Sequence, residues 1–159
     1  MILVTGGRNQ GKRGFAQEQF SEPSQSRGIV WCDGGKADWE TFMGAKWGWN
    51  VHLLIRRVML GEEEIFPKQL HPILPFPLQK KNSSWGQGEL TGLASFIREC
   101  LLKGNEDRIL VTDEIGCGIV PEDPFERIYR EETGRICCQL AAEARQVWRV
   151  CCGLGQRIK

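Results

Sequence analysis

Met1-Ile2-Leu3-Val4-Thr5-Gly6-Gly7-Arg8-Asn9-Gln10-Gly11-Lys12-Arg13 decides how the chain is read. Its apolar start has the length and composition of a short buried strand, and it runs directly into the G-x-x-x-x-G-K spacing of a phosphate-binding loop. A strand, a Gly-rich turn and a following helix aim backbone N–H groups and a positive helix end at a nucleotide's phosphates, with Lys12 reaching the outer ones. The spacing therefore predicts GTP or ATP held by Gly6, Gly7, Arg8, Asn9, Gln10, Gly11, Lys12 and Arg13. One position departs from the pattern. The residue after the lysine should be Ser or Thr, to help hold Mg²⁺, and Arg13 brings positive charge but no oxygen ligand. The bland alternative is a Gly-rich strand-to-helix turn that binds nothing.

Working outward, residues 21–26 form a polar turn and 28–33 an apolar run ending in Asp-Gly-Gly, which predicts a second strand. Asp38 is placed to cap a short helix through Ala45. From Asn50, the spacing of Val51, Leu54, Ile55, Val58 and Met59 predicts an amphipathic helix, with His52 and Arg56 one turn apart on a shared face and Arg57 alongside. The stretch 66–88 carries Pro67, Pro72, Pro75 and Pro77 with no usable period. It reads as an irregular Pro-rich insertion loop, either a lid over a site or a disordered insertion. A helix is expected over 89–103 and ends at Gly104, then a strand over 108–112 that enters Asp113-Glu114. Pro124 opens a long helix to about Gln146. Gly134 in its middle costs about 1 kcal/mol relative to Ala, which points to a close contact or a bend. A last strand follows over 147–151, then a short tail. Alternating strands and helices imply an α/β fold, a mainly parallel sheet flanked by helices with right-handed crossovers.

The chain has 159 residues, enough for a single domain spanning 1–159 that buries about two-thirds of its unfolded surface. Its 21 basic and 20 acidic residues nearly cancel, so nothing favours a broad nucleic-acid or membrane surface over a small anionic ligand. No apolar run approaches the roughly 20 residues of a membrane span, and the opening one is too short for a signal-peptide core, so a cytoplasmic protein is expected. The 7 cysteines include the adjacent pairs Cys137-Cys138 and Cys151-Cys152 but no C-x-x-C. They are expected to be reduced, buried thiols. The tryptophans, most of them in or near predicted turns, either stack on a ligand or pack the core.

Several blocks taken together resemble one family: the opening Met1-Ile-Leu-Val-Thr-Gly-Gly-Arg8, Thr112-Asp-Glu-Ile-Gly-Cys-Gly-Ile-Val-Pro121, Tyr129-Arg-Glu-Glu-Thr-Gly-Arg135, Gln139-Leu-Ala-Ala142 and Cys152-Gly-Leu-Gly155. It is the bifunctional adenosylcobinamide kinase/adenosylcobinamide-phosphate guanylyltransferase family of cobalamin biosynthesis. The start and the last third of the chain carry the likeness, and the middle is only loosely similar. The resemblance implies a RecA-like P-loop NTPase fold and a homo-oligomer, often a trimer. It implies an enzyme that uses GTP (sometimes ATP) to phosphorylate the aminopropanol hydroxyl of adenosylcobinamide. That enzyme then moves GMP from GTP onto adenosylcobinamide phosphate through a guanylylated histidine.

The family's histidine lies in an H-x-x-R-R-P-like stretch, and the nearest match here is His52-Leu-Leu-Ile-Arg56-Arg57, one residue longer and without the proline. The resemblance makes His52 the guanylyl acceptor, with Arg56 or Arg57 balancing phosphate charge; the alternative is a surface histidine on an amphipathic helix. His71, beside Pro72, is the other histidine and has no arginine pair near it. Asp113 and Glu114 end a strand on the side where open α/β sheets bind ligands. Either is placed to accept the substrate hydroxyl's proton or to orient water on Mg²⁺, and Glu114 is the candidate metal ligand because the family's second acidic motif, E-C-x-x-x-W-x-x-N-L, is missing. Gly116, Gly118 and Pro121 shape a turn above the cleft. By resemblance Asp123, Arg127, Arg130 and Arg135 belong to the same cleft; the alternative is helix surface charge, including an Arg127–Glu131 pair. Arg13, the altered His52 spacing and the missing motif also support a different reading, a degenerate GTP-binding protein without kinase turnover. A P-loop kinase for another small alcohol is the third.

Overall fold

Residues 1–22, 28–62, 65, 87–103 and 106–159 are described by the computed structural model. The expected insertion loop, apart from its last two residues, lies outside them, as do His71, Trp85 and Gly104. Six strands are present among the described residues: β1 (Ile2–Thr5), β2 (Cys32–Asp33), β3 (Trp47–Trp49), β4 (Ile109–Val111), β5 (Gln146–Cys151) and β6 (Leu154–Arg157). They form one sheet of order β2-β3-β4-β1-β5-β6, parallel except for the antiparallel β5–β6 pair. β1 lies in the interior, with Ile2 opposite Ile109 on one side and Gln146 on the other. A strand covered on both faces needs an unbroken apolar run, which is what Ile2-Leu3-Val4 supplies.

The period-2 alternation of these strands divides the core in two. Leu3, Leu110 and Val147 face a cluster built with α3 (Val51–Leu60), α4 (Gln87–Leu102) and α5 (Pro124–Glu143). Ile2, Val4, Ile109, Val111 and Val150 face the other side, where α1 (Lys12–Phe20) packs Ala16 and Phe15 with Trp47, Trp31 and Trp148. α3 buries the predicted Val51, Leu54, Ile55, Val58 and Met59, and Gly61 ends it in the left-handed region with φ 68°. α2 (Trp39–Gly44) begins where Asp38 accepts the Thr41 N–H at 2.8 Å.

Several expectations are corrected. β2 keeps only the last two residues of the predicted strand. Trp47-Gly48-Trp49 is a strand rather than turn material, and Gly48 is needed there because a Cβ would stand 2.9 Å from the Phe42 ring and 3.0 Å from Leu110 Cδ2. The predicted tail folds back as β6. Gly134 has no neighbour among the described residues within 4 Å of where its Cβ would be, so no close contact with them accounts for it. The cysteines are free but not buried, with Cys117, Cys138, Cys151 and Cys152 exposed. Arg108, at the start of the expected strand, lies just before β4 and has a fully buried side chain. It donates to the carbonyls of Ala45 at 2.9 Å, Leu101 at 3.2 Å and Phe42, tying the ends of α2 and α4 to β4. Burial pulls its pKa down to about 10. No helix among the described residues is long and apolar enough to cross a membrane.

Candidate active site

The carboxyl ends of β1, β4 and β3 open on one side of the sheet, and each delivers part of the site. Behind β1 the glycine loop lies against the backbone of β5. A Cβ on Gly6 would sit 2.3 Å from the Val150 carbonyl oxygen, and Gly11, at φ 80°, would place one 3.1 Å from Gly153 Cα. The loop is thus glycine-dependent for packing as well as for phosphate approach. Gln10 fastens it to the β5–β6 turn, its side-chain oxygen accepting the Cys152 N–H at 2.7 Å and its carbonyl accepting the Gly153 N–H at 2.9 Å. Lys12 starts α1 with 6% exposure; its Nζ donates to the Gly7 carbonyl at 2.6 Å and pairs with Asp113 Oδ1 at 2.7 Å.

β4 delivers Asp113 and β3 delivers His52, on the first turn of α3. The Asp113 N–H donates to His52 Nδ1 at 3.3 Å, and His52 Nε2 lies 3.7 Å from Asp113 Oδ2. Because Nδ1 accepts from an amide, the neutral ring carries its proton on Nε2, the nitrogen beside the carboxylate. Burial pulls the His52 pKa below its ordinary value. Asp113 opposes that shift, and Lys12 and Arg8 add to it. The imidazole is therefore neutral at pH 7. Tyr129 donates to the His52 carbonyl at 2.9 Å and holds the helix start in place. Burial raises the phenol's pKa and keeps it protonated.

These groups line a cleft of about 890 Å³, a volume suited to a nucleotide. Arg8, Lys12, Arg13, Arg56 and Arg130 contribute cations to its wall. Arg56 shares the face of His52 as expected, and pairs with Glu126 at 2.9 Å. Arg13 lays its guanidinium over the Trp49 ring at 4.7 Å from the centroid. Arg57 is not brought into the cleft. It is buried behind α3, donating to Glu62 at 2.6 Å and to the carbonyls of Gly34 at 3.2 Å and Ala37 at 2.7 Å. Asp123 caps α5 by accepting the Phe125 N–H at 2.9 Å, and Arg127 donates to the Pro121 and Glu122 carbonyls rather than to Glu131. Arg135 pairs with Glu131 and lies 3.4 Å from Glu132, away from the cleft.

Trp49, Asn50, Cys117, Glu126 and Tyr129 also line the cleft and were not singled out from the sequence. Trp49 ends β3 and Asn50 follows it, as Asp113 follows β4, and no sequence signal marks the pair because β3 is too short to show an alternation. Asn50 takes φ 56° and donates to Asp33 Oδ1 at 2.9 Å, which turns the chain from β3 into α3. The donor set does not fit a protein-held Mg²⁺. Arg13 replaces the hydroxyl, Asp113 is paired with Lys12, and Glu114, the expected ligand, accepts from the Arg149 guanidinium at Oε2 at 3.1 Å. No cluster of three His, Cys, Asp or Glu side chains suited to a metal occurs among the described residues.

A glycine loop on the carboxyl edge of a parallel sheet, with its lysine seated against an acidic strand end, defines a P-loop nucleotide-binding protein of the α/β class. The model of the family described as "CobU: Cobinamide kinase / cobinamide phosphate guanyltransferase" matches residues 62–158. The Escherichia coli (strain K12) bifunctional adenosylcobalamin biosynthesis protein CobU is 51% identical over 186 aligned residues, covering 100% of this chain and 99% of that protein. The Salmonella typhimurium (strain LT2) protein of the same name is 29% identical over 187, with the same coverage. The chain belongs to the cobinamide kinase/cobinamide phosphate guanyltransferase family. Its 159 residues fall short of both alignments, so part of each relative has no counterpart here.

Proposed function

We propose that this chain phosphorylates adenosylcobinamide and then transfers GMP from GTP to adenosylcobinamide phosphate, giving adenosylcobinamide-GDP in cobalamin nucleotide-loop assembly. The observation that carries the reading is the convergence of Lys12, Asp113 and His52 in one cleft, with Lys12 2.7 Å from the carboxylate and the His52 ring 3.7 Å from it. In the kinase step the substrate hydroxyl attacks the γ-phosphorus of GTP or ATP, its proton passing to Asp113 while the bond to the β-phosphate oxygen breaks. In the second reaction Asp113 takes the Nε2 proton of His52 as the freed nitrogen lone pair bonds to the α-phosphorus of GTP, the bond from that phosphorus to the β-phosphate oxygen breaks, and pyrophosphate leaves. A phosphate oxygen of adenosylcobinamide phosphate then displaces the histidine. Arg8, Lys12, Arg56 and Arg130 carry the phosphate charge, and no step is routed through a metal.

The family's name supports both reactions, and the neutral, buried imidazole supports the nucleophile. We further take the chain to work as a single nucleotide-binding domain in a cytoplasmic homo-oligomer, a trimer by the family likeness. The exposed apolar Ile119, Val120 and Leu154 support the association. Incubation with α-labelled GTP tests the central assignment. Wild type should acquire an acid-labile, protein-bound label that His52→Ala lacks. A label that persists in His52→Ala overturns the nucleophile. Bound nucleotide with no label in the wild type overturns guanylyl transfer and favours a binding protein without turnover.

A further inference from the structure

Neighbouring residues of a strand point to opposite faces, so the sulfurs of adjacent cysteines in extended chain diverge. At the β5–β6 turn they do not. Cys152 takes φ 51°, and this left-handed backbone swings its side chain back until the Sγ atoms of Cys151 and Cys152 stand 3.9 Å apart, both residues exposed. Two sulfurs bound at about 2.3 Å to one tetrahedral centre lie about 3.8 Å from each other, so the spacing is already that of a chelate. The other adjacent pair, Cys137-Cys138, sits inside α5, where successive side chains are turned about 100° apart. The β5–β6 turn is also the one that Gln10 fastens to the P-loop, through the Cys152 N–H at 2.7 Å and the Gly153 N–H at 2.9 Å.

We propose that Cys151 and Cys152 form a dithiol chelation site for a soft, thiophilic centre, and that filling it weakens the hold of the P-loop on nucleotide. Phenylarsine oxide is the probe. Both S–H bonds break, two As–S bonds form, and the arsenic's oxygen leaves as water with the two protons. Arsenic stays trivalent, so no oxidant or reductant is needed. Pyramidal trivalent arsenic holds its two sulfurs at an angle narrower than tetrahedral, so closing the chelate ring through the Cys151–Cys152 peptide draws the sulfurs in from 3.9 Å and shifts the residue whose N–H binds Gln10, which displaces the loop at its anchor.

The full chain is treated with phenylarsine oxide in excess monothiol, weighed as the intact protein, and titrated with GTP. The expected result is a single arsenic per chain that 2,3-dimercaptopropanol removes, with GTP affinity lowered about tenfold while it is bound. Cys151→Ser and Cys152→Ser, each compared with its own untreated form, should lose both the adduct and the shift. The double variant Cys137→Ser/Cys138→Ser should keep them. Should a variant not fold, proteolytic mapping of the arsenic on the wild type decides the site. An adduct that survives in Cys151→Ser, or maps elsewhere, overturns the site; a chelate at the pair that leaves GTP affinity unchanged overturns its link to the loop. The affinity readout rests on the P-loop reading, whereas the adduct does not. A chain that binds no GTP before treatment therefore counts against that reading and not against the chelate.

Discussion

At the scale of single residues, the behaviour of His52 follows from what surrounds it. Burial lowers its pKa, so the folded state holds the neutral ring at pH values where an exposed histidine is already charging. Guanylylation measured as initial label incorporation should therefore stay level from pH 8 down through about 6.5, the ordinary histidine value, and fall only below it. The same shift has a sign for stability. A depressed folded pKa contributes stability that is present above about 6.5 and lost as pH falls through the folded value, because the unfolded chain binds the proton first. Denaturant midpoints of wild type should drop on acidification through that window, and His52→Gln should drop less. Arg13 is the second residue whose surroundings matter. Its charge is backed by the Trp49 ring where a P-loop normally offers a hydroxyl, so it replaces part of what a cation would supply to the phosphates. Arg13→Ser should weaken GTP binding in EDTA about tenfold, the size of one charge-assisted hydrogen bond, and Mg²⁺ should restore more of the affinity than it adds to wild type. Equal affinity of the two proteins in EDTA would contradict this role. Arg13 and His52 were both legible as residues. Asp113 was legible too, as the end of a strand, whereas the Trp49 ring under Arg13 was not, because sheet packing brings the two together.

At the scale of elements, α5 and β3 show what a period reveals and what it hides. The apolar stripe of α5 was readable, and Tyr129, Ile136 and Leu140 are buried as the spacing requires. Glu132 was not, since a pair of glutamates on a helix reads as solvated surface. Here its carboxyl is fully buried with no hydrogen-bond partner on either oxygen among the described residues, and Arg135 lies 3.4 Å away. Burial raises its pKa. A raised carboxyl pKa contributes stability that is present below the unfolded value and lost as pH rises through the folded one, so at neutral pH this residue works against the fold. Glu132→Gln should raise the thermal midpoint at pH 7.5 and leave it nearly unchanged at pH 4. Gly134, two residues further along α5, has open space about its missing Cβ among the described residues, and Gly134→Ala should stabilise by up to about 1 kcal/mol. Gly48→Ala should act in the opposite sense, because β3 passes against Phe42 and Leu110 with no room for a methyl. Composition could not separate these two glycines. What distinguishes them is a neighbouring side chain brought in by the sheet, and β3 itself was missed because three residues rich in tryptophan carry no readable alternation.

For the molecule as a whole, the loop sequence fixes the site because parallel strands gather their carboxyl ends on one edge. Gly6 through Lys12 follow β1, β4 is its neighbour in the sheet and β3 is the next strand beyond, so Asp113 and His52 arrive there by topology alone. That is why an α/β reading of the chain was enough to expect a shared cleft, while the order of strands, the return of β6 and the burial of Arg57 had to come from tertiary packing. It also makes Lys12 the point where folding and ligand binding meet. Without nucleotide it neutralises Asp113 at 2.7 Å, with 6% and 17% of the two side chains exposed. With nucleotide it turns part of that charge to phosphate. A ligand bound only by the folded state stabilises it by about 2.7 kcal/mol at a hundredfold excess over Kd. GTP at that level should raise the melting temperature of wild type by several degrees. Lys12→Met removes the phosphate contact and leaves the Asp113 carboxylate with His52 as its remaining close partner, so it should melt lower without ligand and show little or no rise with GTP. A Lys12→Met protein that melts lower yet keeps the full GTP shift would place the triphosphate elsewhere on the chain, and with it the cleft at the carboxyl edge would lose its claim to the chemistry.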